Sequence, residues 1–149
     1  MASGKSKILR QACAIPYRMR EGALEFCLIT TGRKKRLWGF PKGLIEWGET
    51  AVEAALKEAW EEAGLRGRIE GEPLGRFKYS KWGNRLSVAV FAMLVDDEDD
   101  RWPEARFRNR QWSSASDALA LLHRKSLRRL LIAAVDRLST SSDTQRDVG

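Results

Sequence analysis

The stretch Gly43 to Leu65 reads GLIEWGETAVEAALKEAWEEAGL and contains Glu58-Ala59-Trp60-Glu61-Glu62. Residues three and four apart share one face of an α-helix. At about 100° per residue, Glu58, Glu61 and Glu62 fall within a sector of roughly 100°. Carboxylates that close repel one another, so helix stability gives no reason to gather them. A cation does, and a hard divalent ion such as Mg²⁺, which prefers oxygen ligands, is the simplest one. Val52, Ala55, Leu56, Ala59 and Ala63 fall on the adjoining sector and form an apolar face. Many are alanines, so the helix can lie close to whatever covers it. Thr50 with Glu53 three residues on is a capping box, and Gly64 is a natural C-terminal stop. The pattern predicts a helix from about Ala51 to Ala63, packed on one side, with its acidic side facing a cleft.

The chain has 149 residues and a formal net charge of +7. That length suits one domain with a real core, expected over 1–149, with the core at about 8–138 and flexible tails at 1–7 and 139–149. Since the candidate site is acidic, the positive charge must lie elsewhere. It suits a polyanionic substrate or a nucleic acid, or else a well-solvated surface. Cys13 and Cys27 sit in strand-like apolar runs and read as buried free thiols of a reducing compartment. They lack metal-ligand spacing and His123 lies far along the chain, which argues against zinc. Met1 to Lys7 is followed by no signal-type apolar region, and no apolar run approaches membrane-spanning length. The expected location is the cytoplasm.

In chain order, Ile8–Tyr17 and Leu24–Thr30 read as strands of a hairpin turning at Arg18–Gly22. Thr31–Arg36, TGRKKR, is a basic loop, either solvated or a phosphate-attracting rim. Trp38–Gly43 is a short strand entering a turn, in which Pro41 restricts and Gly43 frees the backbone and Lys42 is held at the mouth of the acidic helix. Arg66–Glu72 reads as a polar link and Leu74–Tyr79 as a strand, with Lys81-Trp82-Gly83-Asn84 as a hairpin turn into Arg85–Val95. This last, most apolar run should be a core strand covered on both faces. Asp96–Asp100, DDEDD, reads as a solvated loop or as a source of a further ligand or base. Arg106, Arg108 and Arg110 would point one way if their segment were extended. Gln111–Ser113 is a short final strand, Ser114 caps a short helix, and Lys125 to Leu138 is a longer one. That helix carries an apolar stripe of Leu127, Leu130, Leu131, Ala134, Val135 and Leu138, with a solvated face at Arg128, Arg129, Asp136 and Arg137.

Gly43, then Glu49, then Lys57-Glu58-Ala59-Trp60-Glu61-Glu62-Ala63-Gly64-Leu65, resembles the Nudix box. One fixed position departs from it: the box arginine is Lys57. The resemblance implies an α/β fold, a mixed β-sheet sandwiched between α-helices with a loop-helix-loop catalytic motif. It also implies metal-dependent hydrolysis of a pyrophosphate bond. By the same resemblance, Glu58, Glu61 and Glu62 hold Mg²⁺ or Mn²⁺ with the help of the Lys42 carbonyl, and Glu61 acts as base. Lys57 stands in for an arginine that pairs with Glu49 and steadies the catalytic carboxylates. Lysine keeps the charge but loses the bidentate fork.

The region from Gly75-Arg76-Phe77 through Arg106–Trp112 is similar to the diphosphoinositol polyphosphate and diadenosine polyphosphate branch of that family. Arg36, Lys42, Lys78, Arg85, Arg108 and Arg110 are the expected substrate-binding cations. A ring of them suits a small molecule with many phosphates. An RNA 5′-pyrophosphohydrolase, a nucleoside triphosphate pyrophosphohydrolase and a binding module with weak catalysis are the alternatives.

Overall fold

The computed structural model describes residues 7–32 and 36–147, the last seven by their backbone alone. Arg33, Lys34 and Lys35 of the basic loop, and the N-terminal stretch before Lys7, lie outside the described residues. β1 (Ile8–Arg20) and β2 (Ala23–Thr31) form the expected hairpin, Tyr17 opposite Phe26 and Arg20 opposite Ala23. Its turn places Glu21 at φ 53° and Gly22 at φ 80°, two successive left-handed residues whose twist matches that of the strands. β3 (Leu37–Gly39) pairs with the end of β2, and β4 (Lys42–Leu44) with the start of β1.

After α1 (Ala51–Ala63) come β5 (Leu65–Arg68), β6 (Gly75–Lys81) and β7 (Asn84–Glu98). β7 runs parallel to β1, Ile8 beside Arg85 through Tyr17 beside Leu94. β6 turns back on β7 through Trp82 and Gly83, again at positive φ. β8 (Arg110–Ser114) pairs with β2, and α2 (Ala115–Leu121) and α3 (Lys125–Asp147) close the chain. The eight strands form one mixed sheet whose main path is β3-β2-β1-β7-β5.

Strand alternation sorts the core into two layers. Cys13, Ile15, Phe26, Leu28, Val88 and Val90 face α2 and α3, where Leu122, Leu130 and Leu131 cover them. Ala12, Ala14, Cys27, Ile29, Ala89 and Phe91 face α1, which presents Ala54, Ala55, Ala59 and Ala63. With alanines on both surfaces, α1 lies close to β1. The result is the sandwich that the family resemblance implies. Both thiols are buried and unbridged, on opposite faces of the sheet, and burial pushes each up to about 12.

Three expectations are corrected and one is extended. The polar link contains β5, where Gly67 lets the strand meet β7: a Cβ there would fall 1.9 Å from the Leu94 carbonyl oxygen. The acidic run is no free loop, because β7 continues through Glu98 beside β5 and two of its charges are paired, Glu98 with Arg18 and Arg110, and Asp99 with Arg66. The basic face of α3 is solvated as expected, with Arg128, Arg129 and Asp136 exposed, while Arg128 also donates to the Leu119 carbonyl, Arg129 to that of Arg76, and Arg137 to those of Glu72 and Pro73. Finally, α3 runs on past Leu138 to Asp147, since extending a formed helix costs far less than starting one. Among the described residues no helix is long and apolar enough to cross a membrane.

Candidate active site

Thr50 starts α1 as the sequence predicts: its hydroxyl accepts from the Glu53 N–H while Glu53 accepts from the Thr50 N–H. Gly64 ends the helix at φ 67°. This frame aims Glu58 and Glu62 at β4. The Ala14 N–H donates to the Pro41 carbonyl at 3.0 Å, and Lys42 and Gly43 pair with Cys13 and Ala12. Strand alternation then turns Lys42 toward the α3 side of the sheet and Gly43 toward α1. A Cβ on Gly43 would lie 2.2 Å from the Glu58 carboxyl carbon. Gly43 is absent from the residues at positive φ, so its role is clearance for a carboxyl group, not the freed backbone that the sequence suggested.

Glu62, 5% exposed, accepts from the Lys42 backbone N–H at 3.1 Å and pairs with Arg108 at 3.1 Å. It also shares a hydrogen bond with Glu58. Burial, then that bond, raises the Glu62 carboxyl well above the carboxylate range, against the pull of Arg108. Burial raises Glu58 as well. Burial thus opposes two full negative charges where these oxygen-donor groups meet, and a hard divalent cation fits that donor set because it would supply the missing positive charge. Among the described residues no three Asp, Glu, His or Cys side chains are gathered as a metal-binding group. Glu61 is half-buried, and its carboxylate forms no hydrogen bond or ion pair among the described residues.

The last carbonyls of a helix lack partners within it. Here the segment 99–110 supplies them. The Glu104 N–H donates to the Glu61 carbonyl, Trp102 Nε1 to that of Glu62 at 3.0 Å, and Arg110 Nη1 to that of Ala63 at 2.7 Å. Arg110 also donates to the Asp99 carbonyl, pairs with Glu98 and stacks on Trp102, 4.2 Å from its centroid. It thus braces the turn bearing Glu61 and Glu62 rather than facing a substrate. Residues 101–107 are not extended, so the three arginines do not point one way.

At the other end of α1, Lys57 pairs with Glu49 at 2.9 Å, and Glu49 also accepts from the Glu46 N–H. The hydrogen bond from Lys57 lowers Glu49, and Glu49 in return raises Lys57. This is the pairing implied for the box, made with one ammonium.

A cavity of about 410 Å³ opens on the α3 side of the sheet and reaches Glu62. Lys42, Lys81, Arg108, His123 and Arg124 line it, with Glu62 its acidic group. Tyr79 lies on its floor, donating to Gln11 at 2.6 Å, with Lys42 Nζ 4.5 Å and the Arg124 guanidinium 4.8 Å from its ring centroid. Burial, then Arg124, lowers Lys42 to about 8. Lys78 and Arg85 are not part of this cavity: Lys78 alternates with Phe77 and Tyr79, and Arg85 is opposite Ser80, so both point away from it. Gln11, Tyr79, His123 and Arg124 are missed by sequence reasoning. One signal was available for Arg124: cations beside the first turn of a helix oppose its dipole and need another reason to be there.

Residues 8–134 match a family model described as the NUDIX domain. The chain is 36% identical over 128 residues to "Nudix hydrolase 21, chloroplastic" of Arabidopsis thaliana, covering 83% of this chain and 64% of the relative's length. Among solved structures it is similar in fold to a C. elegans Ap4A hydrolase binary complex, with TM-score 0.77, 24% identity, and coverage of 89% of this chain and 98% of that one. The NUDIX domain of Shewanella oneidensis NrtR complexed with ADP ribose gives TM-score 0.73 at 17% identity, with 93% of each chain covered.

Proposed function

The chain belongs to the Nudix family, and from that premise we propose that it hydrolyses a phosphoanhydride bond of a polyphosphorylated small molecule. The observation that carries this reading is that Glu62, paired with Glu58, reaches a cavity whose other charged lining residues are the cations Lys42, Lys81, Arg108 and Arg124. Glu58, Glu61 and Glu62 would hold Mg²⁺ or Mn²⁺, with Lys42 beside them in β4. A cation held there would neutralise phosphate oxygens and lower the pKa of water. Glu61, whose carboxylate is free of partners among the described residues, takes the proton from the attacking water. Arg108 fixes Glu62, and Lys57 fixes Glu49 and the loop that enters α1. Lys42, Lys81 and Arg124 neutralise the substrate's phosphates, and Tyr79 offers a ring face.

A dinucleoside polyphosphate or a diphosphoinositol polyphosphate matches this cationic lining, and the fold neighbour described as an Ap4A hydrolase supports the first. The test is a panel of diadenosine tetraphosphate, a diphosphoinositol polyphosphate, a 5′-triphosphorylated oligonucleotide and nucleoside triphosphates. It is run with Mg²⁺ or Mn²⁺ in ¹⁸O-labelled water, with products identified. Preference for the oligonucleotide at matched salt would move the assignment to RNA 5′ ends, and binding without any product would make this a binding module. Glu61→Gln and Glu62→Gln should each cut turnover by orders of magnitude while the chain stays folded. Wild-type turnover in either variant would sink the site assignment.

A further inference from the structure

A second cavity, of about 520 Å³, lies beside the first and is lined by Gly32, Arg36, Glu104, Arg106, Phe107 and Arg108. Gly32 and Arg108 line both cavities, so the two share a wall. Arg108 is fully engaged: it pairs with Glu62 and Glu104 and donates to the Thr30 carbonyl. Glu104 is held by that contact, through both Nε and Nη2 of Arg108. Arg36 and Arg106 are exposed and make no hydrogen bond or ion pair among the described residues. Phe107 is 65% exposed on a fixed turn, its N–H donating to the Glu104 carbonyl at 2.9 Å. An exposed ring lining the same cavity as two unpaired guanidinium groups has no packing role to explain it. It is the combination that takes an anionic, planar ligand, the ring stacking and the cations holding phosphate.

We propose that this second cavity is a subsite for the far nucleotide of a two-ended polyphosphate whose scissile bond lies at Glu58 and Glu62. It rests on the hydrolase reading above and sharpens it, because a substrate with a planar group at each end uses both cavities and a one-ended one does not. Arg108 then stands at the wall between them, where the phosphate chain passes.

The test measures binding by calorimetry in EDTA, where turnover does not enter, using the full chain. The probes are diadenosine tetraphosphate and adenosine 5′-tetraphosphate, which differ by one nucleoside. Phe107→Ala should weaken the two-ended ligand about tenfold, the scale of one lost base stack, and the one-ended ligand less than twofold. Arg106→Gln should weaken the two-ended ligand several-fold. Equal affinities for wild type and Phe107→Ala with the two-ended ligand would overturn the subsite, as would a wild type that binds neither probe. If the Phe107→Ala effect appears but Mg²⁺ or Mn²⁺ yields no product from the two-ended probe, the subsite stands and the hydrolase reading falls.

Discussion

Gly43→Ala isolates one feature of the site. The new Cβ would lie 2.2 Å from the Glu58 carboxyl carbon and 2.3 Å from its Oε1, where ordinary contact begins at 3.4 Å. The carboxyl must therefore retreat by roughly 1.2 Å, the difference between contact and overlap. Because it is the end of a flexible side chain, it can do so without unfolding the protein. Moving it off its rotamer costs about 0.5–1.5 kcal/mol. Alanine offsets about 0.4–1 kcal/mol of this by narrowing the unfolded ensemble, since Gly43 is not at positive φ. Stability should thus change by no more than about 1 kcal/mol. Activity should not be spared, because a misplacement of about 1 Å at a reacting centre costs about 100-fold, or roughly 2.7 kcal/mol of transition-state stabilisation. The assay is initial rates over a Mg²⁺ titration, with thermal unfolding of the same samples. Glu58→Ala supplies the control, because once the carboxyl is gone Gly43→Ala should have no further effect. A Gly43→Ala enzyme within threefold of wild type, with the same Mg²⁺ dependence, would refute the reasoning.

Trp102→Ala removes the donor to the Glu62 carbonyl and the ring under Arg110, and should cost about 2–3 kcal/mol in denaturant unfolding. It should also raise the Mg²⁺ concentration needed for half-maximal rate, a change that loss of packing elsewhere would not produce. Lys42, lowered by burial to about 8, is charged below that pH and neutral above it. The KM for a polyphosphate should therefore rise as pH passes through about 8, and this rise should vanish in Lys42→Met. Lys57→Arg restores the planar fork toward Glu49. Turnover should increase, and an unchanged or lower value would show that lysine is no handicap.

The legible part of this chain is its local part. α1 runs between the residues its caps name, because a capping box and a left-handed glycine act within four residues of their own backbone. The two core layers follow from period-two alternation in β1, β2 and β7, and the turns at Glu21-Gly22 and Trp82-Gly83 from their short glycine-bearing connections. The gathering of Glu58 with Glu62 was readable from helical spacing. That Glu61 lies apart from their hydrogen bond was not, because a shared sector fixes direction to within a turn but not which side chains meet.

What stayed hidden was settled between distant segments. Arg108 and Arg110 look alike in sequence, yet one is shared between two cavities and the other caps the end of α1. Their targets include the main-chain carbonyls of Thr30, Ala63 and Asp99, a group that every residue carries and no residue identity reveals. β5 and the acidic end of β7 are strands only because each offers the other a hydrogen-bonding edge. Gln11, Tyr79 and Arg124 come together from β1, β6 and the entrance to α3. The sequence by itself thus determined the helix, its caps and the side on which its carboxylates lie. Only the packing of β4 against α1, and of α3 over the sheet, decided which glycine must stay bare and which cations line the cavity that Glu62 reaches. Those outcomes depend on distances across the chain that local periodicity does not contain.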